Sequence, residues 1–305
     1  MVCRRIDRSA AKGALDGKQT QETKWIYQID PSLLKATQTF SGGANFNPET
    51  LLTLHPDVLF LSNQTSSPAL AAKTTKEGIP TVEMGFENWA QLKTMVNTTA
   101  DTLGTAFAKQ QAAKYDAYLD KTVAMITAVT SKIPMAQRPT VMHFDGISPP
   151  SIDGAPSMID TWITAAGGID VAQFGGSPGN GHGHTVTTEQ MIKWNPDIII
   201  VGADAGGNAD TAPQSVAAVK AIPGFDNVTA VKDDRVYANP NGAFLWDFYG
   251  IEEALQIQWA AKLLHPKQFA SLNMVTVVGN FYSEFFDYKL TDAQANEILN
   301  SQPPA

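Results

Sequence analysis

Two histidines lie one residue apart in a glycine-rich segment, Gly179-Asn180-Gly181-His182-Gly183-His184. Imidazole is a common metal ligand, and the neighbouring glycines allow both rings to turn toward one ligand. Zinc motifs such as H-E-x-x-H are absent from the sequence, and a solvated loop tip accounts for the same residue types. We therefore take His182 and His184 as candidate ligand-binding residues, with His184 as the candidate metal ligand and a plain surface loop as the alternative.

A second segment, Asn239-Pro240-Asn241-Gly242-Ala243-Phe244-Leu245-Trp246-Asp247-Phe248-Tyr249-Gly250, combines turn residues with four aromatic rings. It follows a predicted strand, and ligands of open α/β sheets bind at the carboxyl ends of strands. An aromatic wall suits a flat, apolar ligand. We expect Phe244, Trp246 and Tyr249 to line a cleft, while the alternative is that the rings pack the following helix onto the sheet.

Two further glycine-rich segments, residues 42–47 and 202–208, flank predicted α/β elements, and the first contributes Asn45 as a candidate ligand contact. Neither segment is a P-loop or a G-x-G-x-x-G motif between a strand and a helix, which disfavours phosphate and dinucleotide binding. No G-x-S-x-G nucleophile elbow and no obvious acid–base carboxylate pair is present. We therefore predict no catalytic residue; a metal-dependent α/β hydrolase using His182, His184 and Asp204 is the alternative from another class.

The elements that position these residues include an internal repeat with a constant offset of 140 residues. Residues 48–61 and 188–201 each begin with an acidic residue in a short predicted helix, continue through x-Pro-Asp, and end in an apolar run. A continuous apolar strand is typical of a parallel sheet covered by helices on both faces. Two copies predict two α/β lobes with central parallel sheets; a common helix–strand connection repeated by chance is the alternative.

Residues 88–132 contain no proline, and apolar residues recur there at steps of three and four. The pattern predicts a helix over 105–131, which at 1.5 Å per residue is about 37 Å long, enough to join two lobes. We therefore predict an amino-terminal lobe over 1–104, a rigid connector helix over 105–132 and a carboxy-terminal lobe over 133–305. An amphipathic surface helix within one lobe is the alternative.

The remaining chain alternates predicted strands and helices, which favours the α/β class. The predicted elements are strands at 140–144 and 235–238, helices at 158–166, 214–221 and 251–264, and two amphipathic helices within 281–300.

Composition excludes several classes of function. The chain has 305 residues and a net charge of −8, so it lacks the basic surface that nucleic-acid binding requires. Only five arginines are present, and three lie within the first eight residues, which disfavours a cleft built to clamp a strongly anionic ligand. The single cysteine, Cys3, forms no internal disulfide, and no apolar run is long enough to span a bilayer.

The motifs together resemble those of the class III substrate-binding proteins of ABC importers. Asn47-Pro48-Glu49 with Leu54-His55-Pro56-Asp57-Val58-Leu59-Phe60 is similar to an element of the family's first lobe. Thr188-Glu189-Gln190 with Trp194-Asn195-Pro196-Asp197-Ile198-Ile199 is similar to its second-lobe counterpart, and Val231-Lys232-Asp233-Asp234-Arg235-Val236-Tyr237 to the strand before the last helices. The resemblance covers residues 25–287.

The resemblance implies a function as well as a fold. It implies that a metal complex of the siderophore, haem or cobalamin type binds between two lobes joined by a rigid helix. It also implies that Glu49 and Glu189 dock onto a permease that works with a cytoplasmic ATPase. Because arginine is scarce, we expect a weakly charged iron(III) chelate, with haem, cobalamin and nickel or molybdenum species as alternatives and no covalently bound cofactor.

The amino terminus departs from the family pattern. The family's first strand–helix–strand unit has no room before Trp25, and no signal sequence precedes Cys3. We therefore expect a truncated first lobe. The full-length form is expected in the periplasm or anchored outside the cell, with membrane contact only through the permease or a lost lipid anchor.

Overall fold

A computed structural model of the chain describes residues 14–16, 24–35, 37–40, 48–62, 72, 74–177, 179–202, 205, 212–247 and 250–304. Helices alternate with strands over most of this length, which confirms the α/β class. Asn45, Asp204 and Tyr249, three of the residues considered above, lie outside the described residues.

The first lobe contains short parallel strand pairs and the helices around them. Its elements are β1 (Ala14–Asp16), α1 (Lys24–Ile29), β2 (Thr37–Phe40), α2 (Pro48–Thr53), β3 (Leu59–Ser62), β4 (Thr81–Met84) and α3 (Trp89–Leu103). Strand β1 pairs in parallel with β2, and β3 pairs in parallel with β4. Strand β1 lies ahead of Trp25, where the sequence analysis predicted no strand.

The second lobe follows a long helix, α4 (Ala106–Thr130). Its elements are β5 (Thr140–Ile147), β6 (Pro150–Asp153), α5 (Met158–Ala165), β7 (Ile169–Asp170), β8 (His184–Thr185), α6 (Thr188–Trp194), β9 (Ile198–Val201), α7 (Ala212–Lys220), α8 (Thr229–Lys232), β10 (Val236–Ala238), α9 (Glu253–Leu264), α10 (Met274–Phe285) and α11 (Asp292–Leu299). The helices predicted at 158–166, 214–221 and 251–264 are confirmed.

The repeat is visible in the backbone. In both copies a short helix, α2 or α6, leads through a proline turn into a strand, β3 or β9. The residue before each proline has a left-handed conformation, with φ of 47° at His55 and 45° at Asn195. These two residues are themselves 140 positions apart. The helix–turn–strand repeat predicted from the sequence is therefore confirmed.

Helix α4 confirms the long helix predicted over 105–131. The Thr105 hydroxyl accepts a hydrogen bond from the Ala108 amide (3.0 Å) and caps its first turn. Its buried side chains recur at steps of three and four, and the Tyr115 hydroxyl donates to the Ile251 carbonyl (2.9 Å), just before α9. The helix therefore packs on the second lobe as well as on α3. Its role as the connector, with the boundaries given above, stays a prediction.

The second-lobe sheet positions most of the site. Its strand order is β10-β9-β5-β6-β8, and β7 pairs with β5. Strands β10, β9 and β5 run parallel, whereas β6 and β8 run antiparallel to their neighbours. The predicted parallel strands are therefore present at the centre of the lobe, and the antiparallel β6 and β8 extend the sheet on one side. The carboxyl ends of the three parallel strands share one edge, where ligands of such sheets bind.

The side chains on the two faces of β5 lie in different environments. Met142 and Phe144 pack into an apolar cluster with Met191 and Phe225. His143, between them, points to the opposite face and lies edge-on to Trp162 of α5 (ring centroids 6.0 Å apart).

Among the described residues, no helix has both the length and the apolar character that crossing a bilayer requires.

Candidate functional site

A buried histidine lies at the centre of a row of charged groups. His143 on β5 is the register partner of Asp153 on β6, and its Nδ1 lies 3.0 Å from Asp153 Oδ2. The other ring nitrogen, Nε2, lies 2.9 Å from Asp247 Oδ2, in the segment after β10. All three side chains are buried. The ring is therefore held between two carboxylates.

The row continues to the first lobe through a second histidine. His182 Nδ1 lies 3.4 Å from Asp153 Oδ1, and its Nε2 lies 2.9 Å from Oε2 of Glu87, between β4 and α3. Three carboxylates thus alternate with two imidazoles along the row. We call these five residues, Glu87, His143, Asp153, His182 and Asp247, the buried charged cluster.

The carboxylates determine the charge state of both rings. Burial alone favours neutral imidazole, but hydrogen bonds with Asp153 and Asp247 outweigh it and raise the pKa of His143 to about 10. Burial likewise opposes the charge on His182, and Asp153 and Glu87 raise its pKa to about 9. Burial opposes ionisation of Asp153, yet the two imidazoles hold the pKa of its carboxyl well below the usual range. Both rings are therefore imidazolium ions at neutral pH.

Other acidic groups border the cluster. Burial, with the nearby charge of Asp153, raises the pKa of Asp145, whose Oδ2 accepts from the Ser151 hydroxyl (2.8 Å). Burial raises the pKa of Asp170 to about 8 and the pKa of Glu253 well above its ordinary value. This face of the sheet therefore carries more carboxyl groups than positive charges.

The glycine–histidine segment, residues 179–184, is held close to the sheet, and we call it the histidine loop. The Gly154 amide donates to the Gly181 carbonyl (2.8 Å), and the Gly183 amide donates to Asp153 Oδ1 (2.9 Å). The two backbones lie so close that a Cβ on Gly181 would meet the Gly154 carbonyl oxygen. Glycine is therefore required at residue 181 by this contact.

The other histidine of this loop joins an aromatic row. The His184 ring stacks on Phe174, with centroids 3.8 Å apart and planes inclined by 15°, and Phe174 meets Trp194 edge-on at 6.5 Å. His184 Nε2 contacts the Asn180 carbonyl oxygen. Among the described residues, no three His, Cys, Asp or Glu side chains come together to hold a metal ion. Within this part of the chain, His184 therefore belongs to no metal site of three such side chains.

The aromatic segment after β10 requires one correction. Trp246 was expected to line a cleft, but its side chain is fully buried (0% exposed). Its indole N–H donates to Glu252 Oε1 (3.0 Å), an oxygen that also accepts from the Tyr282 hydroxyl (2.5 Å). Trp246 therefore belongs to the core, as in the alternative given above. Phe244, by contrast, is 39% exposed and remains a candidate ligand contact.

The two glutamates of the repeat occupy equivalent places. Glu49 lies in the first turn of α2 and Glu189 in the first turn of α6, and both are exposed. A first-turn glutamate is favoured by the helix dipole irrespective of any partner. Their docking role stays a prediction.

Sequence reasoning missed most of the buried charged cluster. It singled out His182, but not Glu87, His143, Asp153 or Asp247. The one local signal was polar residues in otherwise apolar context, such as His143 in Thr140-Val141-Met142-His143-Phe144. A buried ionisable residue requires a partner, but the partner's identity is not written in the neighbouring residues.

Comparison with known proteins identifies a family to which this chain is similar. The protein-family model described as periplasmic binding protein matches residues 13–243. Among curated proteins, the molybdate-binding protein MolA of Haemophilus influenzae is 31% identical over 103 residues, or 33% of this chain. The aligned region spans 27% of the length of MolA.

Solved structures cover more of the chain. A periplasmic solute binding protein from Veillonella parvula is 25% identical, with a TM-score of 0.77 over 94% of this chain and 84% of its own. CeuE of Helicobacter pylori, solved with Ni(II) bound, is 19% identical, with a TM-score of 0.70 over 90% of this chain and 83% of its own. The latter likeness is one of fold alone.

Proposed function

The chain belongs to the periplasmic binding proteins, and from this premise we propose that it is the substrate-binding component of an ABC importer. The observation that carries the proposal is the family match over residues 13–243. The protein would capture its ligand in the cleft between the two lobes and deliver it to a permease coupled to a cytoplasmic ATPase. It would do so in the periplasm, or anchored outside the cell, without changing a covalent bond of the ligand.

The proposed ligand is a weakly charged iron(III) chelate of the siderophore type. Carboxyl groups of Glu87, Asp145 and Asp153 gather where the first lobe meets the second, and with Asp247 they outnumber the two imidazolium rings there, so the local charge does not favour a polyanion. Charge-assisted arginine contacts, the usual means of holding an anionic catecholate, are scarce in this chain. Phe244 and the stacked His184 supply partly exposed rings for an organic ligand.

The predicted ligand contacts fall into two groups according to the side chains that surround them. His184 and Phe244 are proposed as direct contacts, and Asn45 and Tyr249 keep this role as predictions. Both ring nitrogens of His182 already face carboxylates, so we propose that it contributes to the site through its charge and position.

Molybdate is the second candidate, since MolA is named for binding it and aligns with a third of this chain. A tetrahedral oxoanion needs hydrogen-bond donors, whereas the ring nitrogens of His143 and His182 already face carboxylates, so this candidate rests on the alignment with MolA. Haem, cobalamin and a nickel species remain further alternatives. The metal-dependent hydrolase is not proposed, because the family is one of solute-binding proteins.

Delivery requires a docking surface. We propose that Glu49 and Glu189 form it, one on each lobe. Two like charges on repeat-related helices suit a permease with two-fold symmetry. Both side chains are exposed, as this role demands.

Tryptophan fluorescence tests the proposed function. The purified protein is titrated with ferric siderophores, haem, cobalamin, Ni(II) and molybdate, and Trp194, two rings from His184, is a reporter close to the proposed site. Saturation at one equivalent by a ferric chelate supports the proposal. Loss of the fluorescence change in Trp194→Phe would then place the bound chelate close to Trp194. Saturation by molybdate alone favours the second candidate. Recovery of a chemically altered ligand after many turnovers would contradict a binding role.

A further inference from the structure

Glu87 is fixed within the first lobe by the start of α3. Its amide donates to Gln91 Oε1 (2.7 Å), while Asn88 caps the helix by accepting from the Gln91 amide (3.0 Å). The preceding residue, Phe86, is buried. The backbone amide of Glu87 is therefore held by its own lobe.

The same residue contacts two elements of the second lobe, the histidine loop and α5. Its Oε2 accepts from His182 Nε2 (2.9 Å) and from the Met158 amide at the start of α5 (3.3 Å). Its carbonyl oxygen accepts from the Thr161 hydroxyl (3.2 Å). At Gly179 a Cβ would lie 3.0 Å from Glu87 Oε1, so the histidine loop also passes close to the carboxylate. Glu87 is thus a first-lobe residue whose carboxylate and carbonyl oxygens accept hydrogen bonds from the second lobe.

The contact with His182 is shielded from water. Side-chain exposure is 9% for Glu87 and 14% for His182, and a charge pair in such surroundings is stronger than one on the surface. On its other side, the ring faces Asp153 of β6. His182 therefore spans from the first lobe to the second-lobe sheet.

The second lobe holds the backbone of the histidine loop at several points, and the Gly179 and Gly181 amides both donate to the Pro156 carbonyl (3.0 and 3.2 Å). Gly181 and Gly183 are held by Gly154 and Asp153 of the second lobe, and the Asn180 side chain donates to the Gly175 carbonyl (2.7 Å). Glu87, by contrast, contacts the His182 side chain from the first lobe. The loop ends at His184, whose ring stacks on Phe174. His184 also begins β8, which pairs with β6, so His182 acts on it through the intervening Gly183 alone.

We propose that Glu87 is a positioning residue of the ligand site: from the first lobe, it fixes the His182 side chain and so stabilises the histidine loop that leads to His184. The inference rests on the proposed function for its consequence, since His184 is there a ligand contact. It differs from a simple cap of α5, because a cap requires only the Met158 amide and not His182. Loss of the Glu87 charge is expected to loosen the loop even without ligand.

Hydrogen exchange in the absence of ligand tests the positioning role. Glu87→Gln keeps the size and one acceptor oxygen but removes the charge, and Glu77→Gln changes an exposed glutamate of the same lobe as the control. We expect exchange of the amides of residues 179–184 to rise about tenfold or more in Glu87→Gln and to stay unchanged in Glu77→Gln. The His182 pKa, measured by NMR, should fall in Glu87→Gln alone. Unchanged exchange and pKa in a folded Glu87→Gln protein would overturn the proposal.

A second variant separates positioning from helix capping and from misfolding. His182→Gln leaves Glu87 and its bond to the Met158 amide in place, and it should raise exchange of the same loop amides. An unaltered loop in His182→Gln would also overturn the proposal. Ligand titration forms a separate arm, in which Glu87→Gln is expected to weaken binding of a ferric chelate about tenfold. If the wild-type protein binds none of the tested ligands, the proposed function fails, while the exchange result still decides the positioning role.

Discussion

His143 Nε2 lies 2.9 Å from Asp247 Oδ2, joining two buried residues that are 104 positions apart in the chain. The bond ties the middle of β5 to the segment that follows β10. With Asp153 at the other ring nitrogen, a buried imidazolium is neutralised on both sides. A buried charge of this kind is stable only while its partners are present.

Asp247→Asn is therefore expected to destabilise the fold. The amide keeps the shape of the side chain but leaves His143 with one carboxylate, so the pKa of His143 should fall and the free energy of unfolding should drop by about 3 kcal/mol. Urea unfolding at pH 7 and NMR titration of the ring measure the two effects. Asp233→Asn, at an exposed position, is the control. Equal stability of the Asp247 and Asp233 variants would contradict the prediction.

The stability of the wild-type protein should fall at alkaline pH. In the folded state the pKa of His143 is about 10 and that of His182 about 9, both above the ordinary value of 6.5. The two protonated imidazole rings stabilise the folded state fully below pH 6.5, and this contribution to the free energy of unfolding is lost as pH rises through 9 and 10. Each group lowers the free energy of unfolding by up to about 1.4 kcal/mol per pH unit in this window. Urea unfolding from pH 6 to 10 at constant ionic strength measures it, and His182→Gln should reduce the slope.

Asp170 allows an independent test of the same linkage. Burial raises its pKa to about 8, while its Oδ1 accepts from the Ala172 amide (2.9 Å). The protonated form thus favours folding below pH 3.8, and this contribution disappears as pH rises to 8. Asp170→Asn keeps an acceptor that does not ionise, so its stability advantage over wild type should grow by up to about 1.4 kcal/mol per pH unit between pH 4 and 8. An advantage independent of pH would refute the assignment.

Phe244 and Trp246 are expected to respond in opposite ways. Trp246→Phe removes the indole donor to buried Glu252 and should lower stability by about 1–3 kcal/mol with ligand affinity unchanged. Phe244→Ala removes an exposed ring and should weaken ligand binding by about 1–3 kcal/mol with little effect on stability. Calorimetry of unfolding and of binding separates the two. The assignment fails if Trp246→Phe is the variant that loses affinity.

Charge reversal tests the proposed docking surface. The double variant Glu49→Arg with Glu189→Arg should keep its ligand affinity within about twofold, because both side chains lie on exposed first turns, and should abolish uptake into cells or vesicles that contain the permease. Glu77→Arg reverses an exposed charge of the first lobe and should transport normally. Transport by the double variant at the wild-type rate would remove the docking role.

Local patterns in the sequence predicted much of the fold. The helix expected over 105–131 is found at Ala106–Thr130, and the helix expected over 251–264 at Glu253–Leu264. The repeat was predicted from Pro-Asp turns and apolar runs, and the structure shows the same helix–turn–strand unit twice. These features are encoded over a few turns of chain, where periodicity and turn residues act directly on the backbone.

The site depended on contacts that no local pattern describes. Aromatic residues suit both a cleft wall and a core, so only burial decided that Trp246 packs inside while Phe244 is exposed. The antiparallel placement of β6 and β8, which brings Asp153 beside His143 and His182, was likewise not predicted.

The sequence by itself thus determined the α/β class, the two repeated units, the long helix and the net negative charge. Only the tertiary structure decided which charges meet: Glu87 with His182 across 95 residues, and His143 with Asp247 across 104. The physical reason is the distance along the chain over which each kind of contact forms. Helices and turns form from neighbours in the chain, whereas a buried ion pair forms between whichever groups the packing of separate elements brings within hydrogen-bonding distance.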